Sequence, residues 1–245
     1  MKFNVPNAPQ DSDIIWRYIG LDKLIDLLIS GTIKFTQASI AADKNEISWI
    51  LQSIQGNQKE KIPYYDNAKF FIDSLRSSTY ISCWTKKDNE SRSLWANYLD
   101  STKQGVAIKS TVGDFVKSID WNGHSFTKHI VNYRDEFDQE ELQINTTIIN
   151  TKSSAYFEES ELRFTVSGLE TIPLVDPNEF DKAFNQYKNS EKPKTLDFDV
   201  DLEILINEIM ISPFCSNWQG RNIKQLIIDY RPDLKERFTY SRINE

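Results

Sequence analysis

Residues 14–36 constrain the fold of this chain more than any other stretch. They read I-I-W-R-Y-I, then L-D-K-L-I-D-L-L-I-S-G, then T-I-K-F-T. The first piece is β-branched and aromatic, the composition of a strand. The second sets Leu21, Leu24, Ile25, Leu27 and Leu28 on one helical face and puts Gly31 where a helix C-cap belongs. The third reads as another strand. A strand-helix-strand run needs a sheet with a helix packed on it, so purely helical and purely β architectures are excluded.

Further along, strands are expected at 78–85, 105–111, 129–134 and 208–212, and a short helix in D-N-E-S-R-S-L-W-A-N-Y-L (88–99). Helices are expected over 44–77 with a break near 56–63, over the acidic stretch 135–149, over 178–188 and over 219–229, with a polar loop at 189–194. Strands and helices alternate irregularly, which favours α+β over a regular doubly wound sheet. Residues 1–12 read as a polar, proline-containing arm, and 13–245 as one α+β domain.

The net charge of -7 argues against generic, charge-driven binding of nucleic acid, but leaves room for a local patch. Cys83 and Cys215 form no C-x-x-C pair, which suggests a reducing compartment rather than a disulfide scaffold. The start, M-K-F-N-V-P, lacks the apolar centre of a signal peptide, and no run reaches the ~18 apolar residues of a membrane span. The expectation is a soluble cytoplasmic protein with no membrane partner.

The chemistry-bearing stretch is S-A-Y-F-E-E-S-E-L-R-F, residues 154–164. If 157–166 is extended, Glu159, Glu161 and Arg163 share one face, and Leu162, Phe164 and Val166 share the other. One face is then core and the other a row of charge. Spacing alone leaves two readings open. The row is a solvated outer face with Arg163 pairing against Glu161, or it lines a cleft where Glu161 handles a substrate hydroxyl or a developing cation.

Other candidates are weaker. His124 and His129 are five apart, which suits neither a helical metal pair nor H-E-x-x-H, so no metal site is expected. Cys83 sits in a strand and reads as a buried structural thiol. No G-x-S-x-G elbow and no glycine-rich phosphate loop is present. Trp95 and Tyr98 are more often core than ligand platform.

Three blocks occur in one order: W-R-Y-I-x-L-x-K-L-I-x-L-L-x-S-G-x-I-K-F followed closely by D-K-N-E, then C-W-T with S-L-W-A-N-Y and G-V-A-I-K, then Y-F-E-E-S-E-L-R-F. That order resembles a large bacterial family of unassigned function found in mobile-element and phage-defence neighbourhoods, over residues 14–243. The chain departs from it twice. The family's aspartate-proline-phenylalanine-glutamate is Asp43-Lys44-Asn45-Glu46 here, and the tryptophan before E-x-E is Tyr156.

The family order is in turn similar to ADP-ribosyltransferase toxins, especially those acting on nucleic acids. The resemblance implies a split mixed sheet flanked by helices, with NAD as co-substrate. It places Arg17 and Tyr18 on the early strand, Glu161 as the catalytic glutamate and Glu159 two residues before it. In that setting Arg163 fixes Glu161, Arg17 forks the adenosine ribose or pyrophosphate, and Tyr18, Trp95 or Tyr98 sandwich nicotinamide. The implied partners are an RNA or DNA acceptor and an antitoxin protein. Two alternatives stand beside it. One is a non-catalytic sensor or interaction module of a defence system, recognising through Trp95, Tyr98 and the acidic segment 135–141. The other is a Mg²⁺-dependent nuclease with Asp43, Glu46, Glu159 and Glu161 as ligands.

Overall fold

The structure is a computed structural model that describes residues 8–41, 72–99, 101–135, 149–167 and 191–243. The opening unit forms as its sequence requires: β1 (Ile14–Gly20), α1 (Leu21–Ser30) and β2 (Thr32–Gln37). Helix α1 buries Leu24, Leu27 and Leu28 and ends at Gly31, whose φ of 62° is the left-handed cap that glycine adopts without strain. After α2 (Ala38–Ala41) come β3 (Thr79–Lys86), α3 (Arg92–Tyr98), β4 (Gly105–Thr111) and α4 (Val112–Ser118). Then follow β5 (Phe126–Ile130), β6 (Asn132–Tyr133), β7 (Thr151–Lys152), a 3-10 helix at Ser154–Glu159 and β8 (Glu161–Ser167). The chain closes with β9 (Thr195–Asp199), α5 (Leu202–Leu205), β10 (Glu208–Ile211), α6 (Asn217–Tyr230), a 3-10 turn at Pro232–Leu234 and β11 (Phe238–Thr239).

The result is α+β, with a large mixed sheet flanked by helices. Its path runs β11-β10-β4-β1-β3-β2-β9, with β8 joining β3 to β5. Every pair is antiparallel except β10–β11. Strand β8 takes one edge of β3 along its length, from Thr79↔Ser167 to Thr85↔Glu161. The other edge is shared. Strand β1 takes its C-terminal end at Ile15↔Lys86 and Trp16↔Thr85, while β2 takes its N-terminal half at Thr36↔Ile81 and Gln37↔Tyr80. The sheet therefore opens between β1 and β2, beginning at Arg17.

One sheet face carries the main core, where Ile15, Phe35, Trp84, Ile108, Leu162 and Phe164 meet residues of α1, α4, α5 and α6. On the opposite face, Trp16 and Tyr18 pack under Leu94 and Trp95 of α3. Gly105 lets β4 lie against β1, because a Cβ there would collide with the Ile19 carbonyl oxygen and the Leu99 side chain. The end of the N-terminal arm is pinned, with the amides of Gly113 and Val112 donating to the carbonyls of Asp11 and Asp13.

Several expectations need adjustment. Strand β9 and helix α4 were not expected, and 129–134 is divided between β5 and β6. The expected helix at 178–188, most of those at 44–77 and 135–149, and the D-K-N-E element lie outside the described residues. Among the described residues no helix is long and apolar enough to cross a membrane.

Candidate functional site

The charged stretch is not one strand. Ser153 accepts a hydrogen bond from the Ala155 amide and starts the 3-10 helix at Ser154–Glu159; Ser160 then takes left-handed backbone at φ 45° and turns the chain into β8. Glu161 is the first residue of that strand. Period-two alternation sends Leu162, Phe164 and Val166 into the main core, as expected, and Glu161 and Arg163 to the opposite face. That face is not solvated. Glu161 is 3% exposed and Arg163 2%.

Burial of these charges is compensated locally. Arg163 grips the Glu161 carboxylate with Nε at 2.7 Å and a terminal nitrogen at 3.2 Å, while its other terminal nitrogen donates to the Ile149 carbonyl. Lys152 on β7 reaches Glu161 Oε2 at 3.3 Å and Glu159 Oε2 at 2.6 Å. Glu159 thus joins the cluster through Lys152 rather than by sharing a strand face. Among the described residues two carboxylates and two cations sum to zero charge, which is the condition for tolerating them in low dielectric.

Burial pushes the Glu161 carboxyl up, but the Arg163 guanidinium, its hydrogen bond and the Lys152 ammonium outweigh it and bring the pKa down to about 2. The backbone is held as well: the Glu161 amide donates to the Tyr133 hydroxyl at 2.8 Å, and its carbonyl accepts from the Val131 amide. Cys83 lies opposite Arg163 on β3. Burial, followed by the Glu161 charge, pushes its thiol well above the ordinary cysteine range, so it is inert and neutral. Tyr98, at the end of α3, stays 43% exposed; burial of its hydroxyl and then the charges of Glu159 and Glu161 raise its pKa.

The remaining candidates separate by strand alternation. Tyr18 points to the Glu161 side but is 5% exposed, with its ring edge-on to Trp95 at 4.9 Å and its hydroxyl accepting from the Ser91 amide. Trp95 is fully buried and donates to Glu90. Both are filled into the protein, and Tyr98 is the accessible aromatic of the set. Arg17 points to the other face, half-buried, with its guanidinium 5.7 Å from the Trp84 ring. It borders a cleft of about 340 Å³ in the β1–β2 opening, lined also by Asp22, Lys23, Lys34 and Thr36. Arg17 and Glu161 are separated by two strand spacings through Trp16↔Thr85↔Glu161, roughly 10 Å of sheet.

Sequence reasoning missed Lys152 and Tyr133. Neither lies within a motif or at a periodic spacing from Glu161; the two-stranded β6–β7 ladder, Asn132↔Thr151 and Tyr133↔Lys152, delivers them together. Among the described residues no group of three His, Cys, Asp or Glu side chains is placed to hold a metal ion. Asp43 and Glu46 lie outside the described residues. The chain matches no family model, no curated protein and no solved structure.

Proposed function

We propose that the chain is an NAD-consuming ADP-ribosyltransferase of a toxin or phage-defence system, built on an ADP-ribosyltransferase-like split sheet and modifying RNA or DNA. The observation that carries the reading is Glu161: an ionised carboxylate at the head of β8, oriented from both sides by Arg163 and Lys152, two strands from Arg17 at the sheet opening. Breaking the glycosidic bond of NAD releases neutral nicotinamide and leaves an oxocarbenium-like ribose. A fixed carboxylate stabilises that charge and accepts from ribose hydroxyls. With a pKa of about 2, Glu161 is a poor proton acceptor near neutral pH, so its role is electrostatic rather than general base. Tyr98, on the Glu161 side, supplies the accessible ring for nicotinamide; Arg17 points to the opposite face, so it forks a pyrophosphate only where NAD threads the β1–β2 opening. The defence setting and an antitoxin partner rest on the sequence resemblance alone.

A second reading is favoured by the same side chain. Arg163 and Lys152 already engage the Glu161 carboxylate through three contacts, so a substrate meets a group largely committed to its own chain. In a non-catalytic sensor module the cluster is a structural hub and NAD is irrelevant. The nuclease reading is weakened by the pairing of both carboxylates with Lys152, which competes directly with a metal ion.

The test is nicotinamide release from NAD, with and without single-stranded RNA, DNA and cell lysate, for the wild type, Glu161→Gln and Arg17→Ala. Glu161→Gln lowers release by about a hundredfold or more. It also leaves two buried cations against one carboxylate, so its fold is checked by circular dichroism. Arg17→Ala breaks no ion pair among the described residues and raises KM for NAD by about tenfold, the loss of one charge-assisted contact. A folded, active Glu161→Gln protein overturns the reading. A folded wild type that neither releases nicotinamide nor binds an NAD analogue by calorimetry establishes the sensor module instead.

A further inference from the structure

Arg17 is left uncompensated by its own chain. Its half-buried guanidinium sits 5.7 Å from the Trp84 ring and makes no hydrogen bond or ion pair among the described residues. Burial pushes it below the ordinary arginine range, and the group that opposes this is the Cys83 thiol, not a carboxylate. Arg163 differs in this respect, because Glu161 neutralises it at 2.7 Å. A cation withdrawn from water without a counter-charge is costly, and a ligand that supplies the anion removes the cost.

The guanidinium borders the cleft of about 340 Å³ in the β1–β2 opening, a volume at the small end of small-molecule sites. Ile19, Leu27 and Ile33 give that cleft an apolar wall. Thr36 and Thr195 stand opposite each other in the β2–β9 ladder and both line it. Neither hydroxyl has a hydrogen-bond partner among the described residues. The lining charges decide between anions. Arg17, Lys23 and Lys34 stand against Asp22 and Asp26, which leaves a surplus of one positive charge. Lys34 is already held by Asp26 at 2.6 Å and lies opposite Asp197 in the ladder, so the surplus is not at that end. A phosphate monoester brings about two negative charges against those carboxylates. A carboxylate brings one, and it matches the guanidinium fork with two parallel hydrogen bonds.

We propose that the β1–β2 cleft binds a small organic acid with one carboxylate. Arg17 forks the carboxylate, Ile19, Leu27 and Ile33 cover the hydrocarbon body, and Thr36 and Thr195 bond a hydroxyl or keto oxygen on it. The inference goes beyond the transferase reading and does not rest on it. An acid seated at Arg17 and a pyrophosphate threaded through the opening exclude each other.

The experiment is isothermal titration calorimetry of the full chain with valerate, α-hydroxyvalerate, inorganic phosphate and adenosine monophosphate. The hydroxy acid binds tighter than valerate, and both acids bind tighter than either phosphate compound. Arg17→Met, a neutral side chain of similar volume, weakens both acids by about tenfold or more, the loss of a charge-assisted fork. Without acid this variant melts no lower than the wild type, since it removes a charge that nothing balances. Thr36→Val weakens the hydroxy acid by about fivefold, the loss of one neutral hydrogen bond, and leaves valerate unchanged. Unchanged valerate binding also reports that the Thr36→Val cleft is folded, and circular dichroism confirms the fold of Arg17→Met. Absence of binding by both acids, equal affinity of Arg17→Met and wild type for them, or tighter binding of either phosphate compound overturns the proposal. Melting of Arg17→Met well below the wild type, which shows a partner for Arg17 within the chain, does the same. The two claims fail separately: Arg17-dependent binding of the acids without nicotinamide release keeps the cleft and removes the transferase, whereas release without such binding does the reverse.

Discussion

Replacing Arg163 by methionine tests the electrostatic account of the charge cluster. The side chain is 3% exposed and makes two hydrogen bonds to Glu161 and one to the Ile149 carbonyl. Methionine fills similar volume but leaves Lys152 as the cation facing Glu159 and Glu161 among the described residues, a net negative charge there. Removing one partner of a buried ion pair costs about 3–5 kcal/mol. In a chain of this length that lowers Tm by roughly 10 °C, at about 2–4 °C per kcal/mol.

The pH dependence identifies the cause. Glu161 is held at about 2 in the fold against an ordinary 4.5, so its ionised form stabilises the native state fully above 4.5. That contribution is lost as pH falls through 4.5 toward 2, and it amounts to about 3 kcal/mol at 1.4 kcal/mol per factor of ten in acidity. Without Arg163 the depression is largely gone. Urea unfolding at pH 7 and at pH 3.5 should therefore show a wild-type advantage of several kcal/mol that narrows by about 1 kcal/mol at the lower pH. An advantage under 1 kcal/mol at pH 7, or one independent of pH, refutes the claim that Arg163 compensates the burial of Glu161.

Two further outcomes concern the opposite side of α3. Tyr18→Phe removes the hydroxyl that accepts from the Ser91 amide at 2.9 Å, orphaning a part-buried donor, and should cost about 1–2 kcal/mol by thermal denaturation; a loss below 0.5 kcal/mol contradicts it. Glu90 accepts from the Trp95 indole, the Ser241 hydroxyl and the Arg242 amide, clasping the segment 241–243 to the sheet. Glu90→Ala should speed hydrogen exchange at Arg242 and Ile243 by about tenfold, and unchanged exchange there shows that other contacts hold the segment.

Much of the fold was legible in local pattern. The unit β1-α1-β2, the Gly31 cap and the inward face of β8 follow from periodicities of 3.6 and 2, which depend on nearest neighbours along the chain. Short elements were less so. Strand β9 is mostly polar on its outer positions and presents only Phe198 as a buried residue, too weak an alternation to read without its partner β2. The 3-10 turn before Ser160 hid inside a stretch that scans as one strand, because the serine and glutamates there are compatible with either backbone.

Sequence by itself determined that Glu161 and Arg163 share a face, that Leu162 and Phe164 oppose them, and that Arg17 and Tyr18 are adjacent on an early strand. Tertiary structure alone decided that the charged face is buried, since burial depends on β7 and β3 coming to lie beside β8 with Lys152 and Cys83 on them. It also decided that Arg17 and Tyr18 serve different faces of the sheet, one at the β1–β2 opening and one beneath α3. The physical reason is the same in both cases. Alternation is a property of one strand, whereas the dielectric around a charge and the room beside it depend on strands distant in sequence, whose pairing no local pattern encodes.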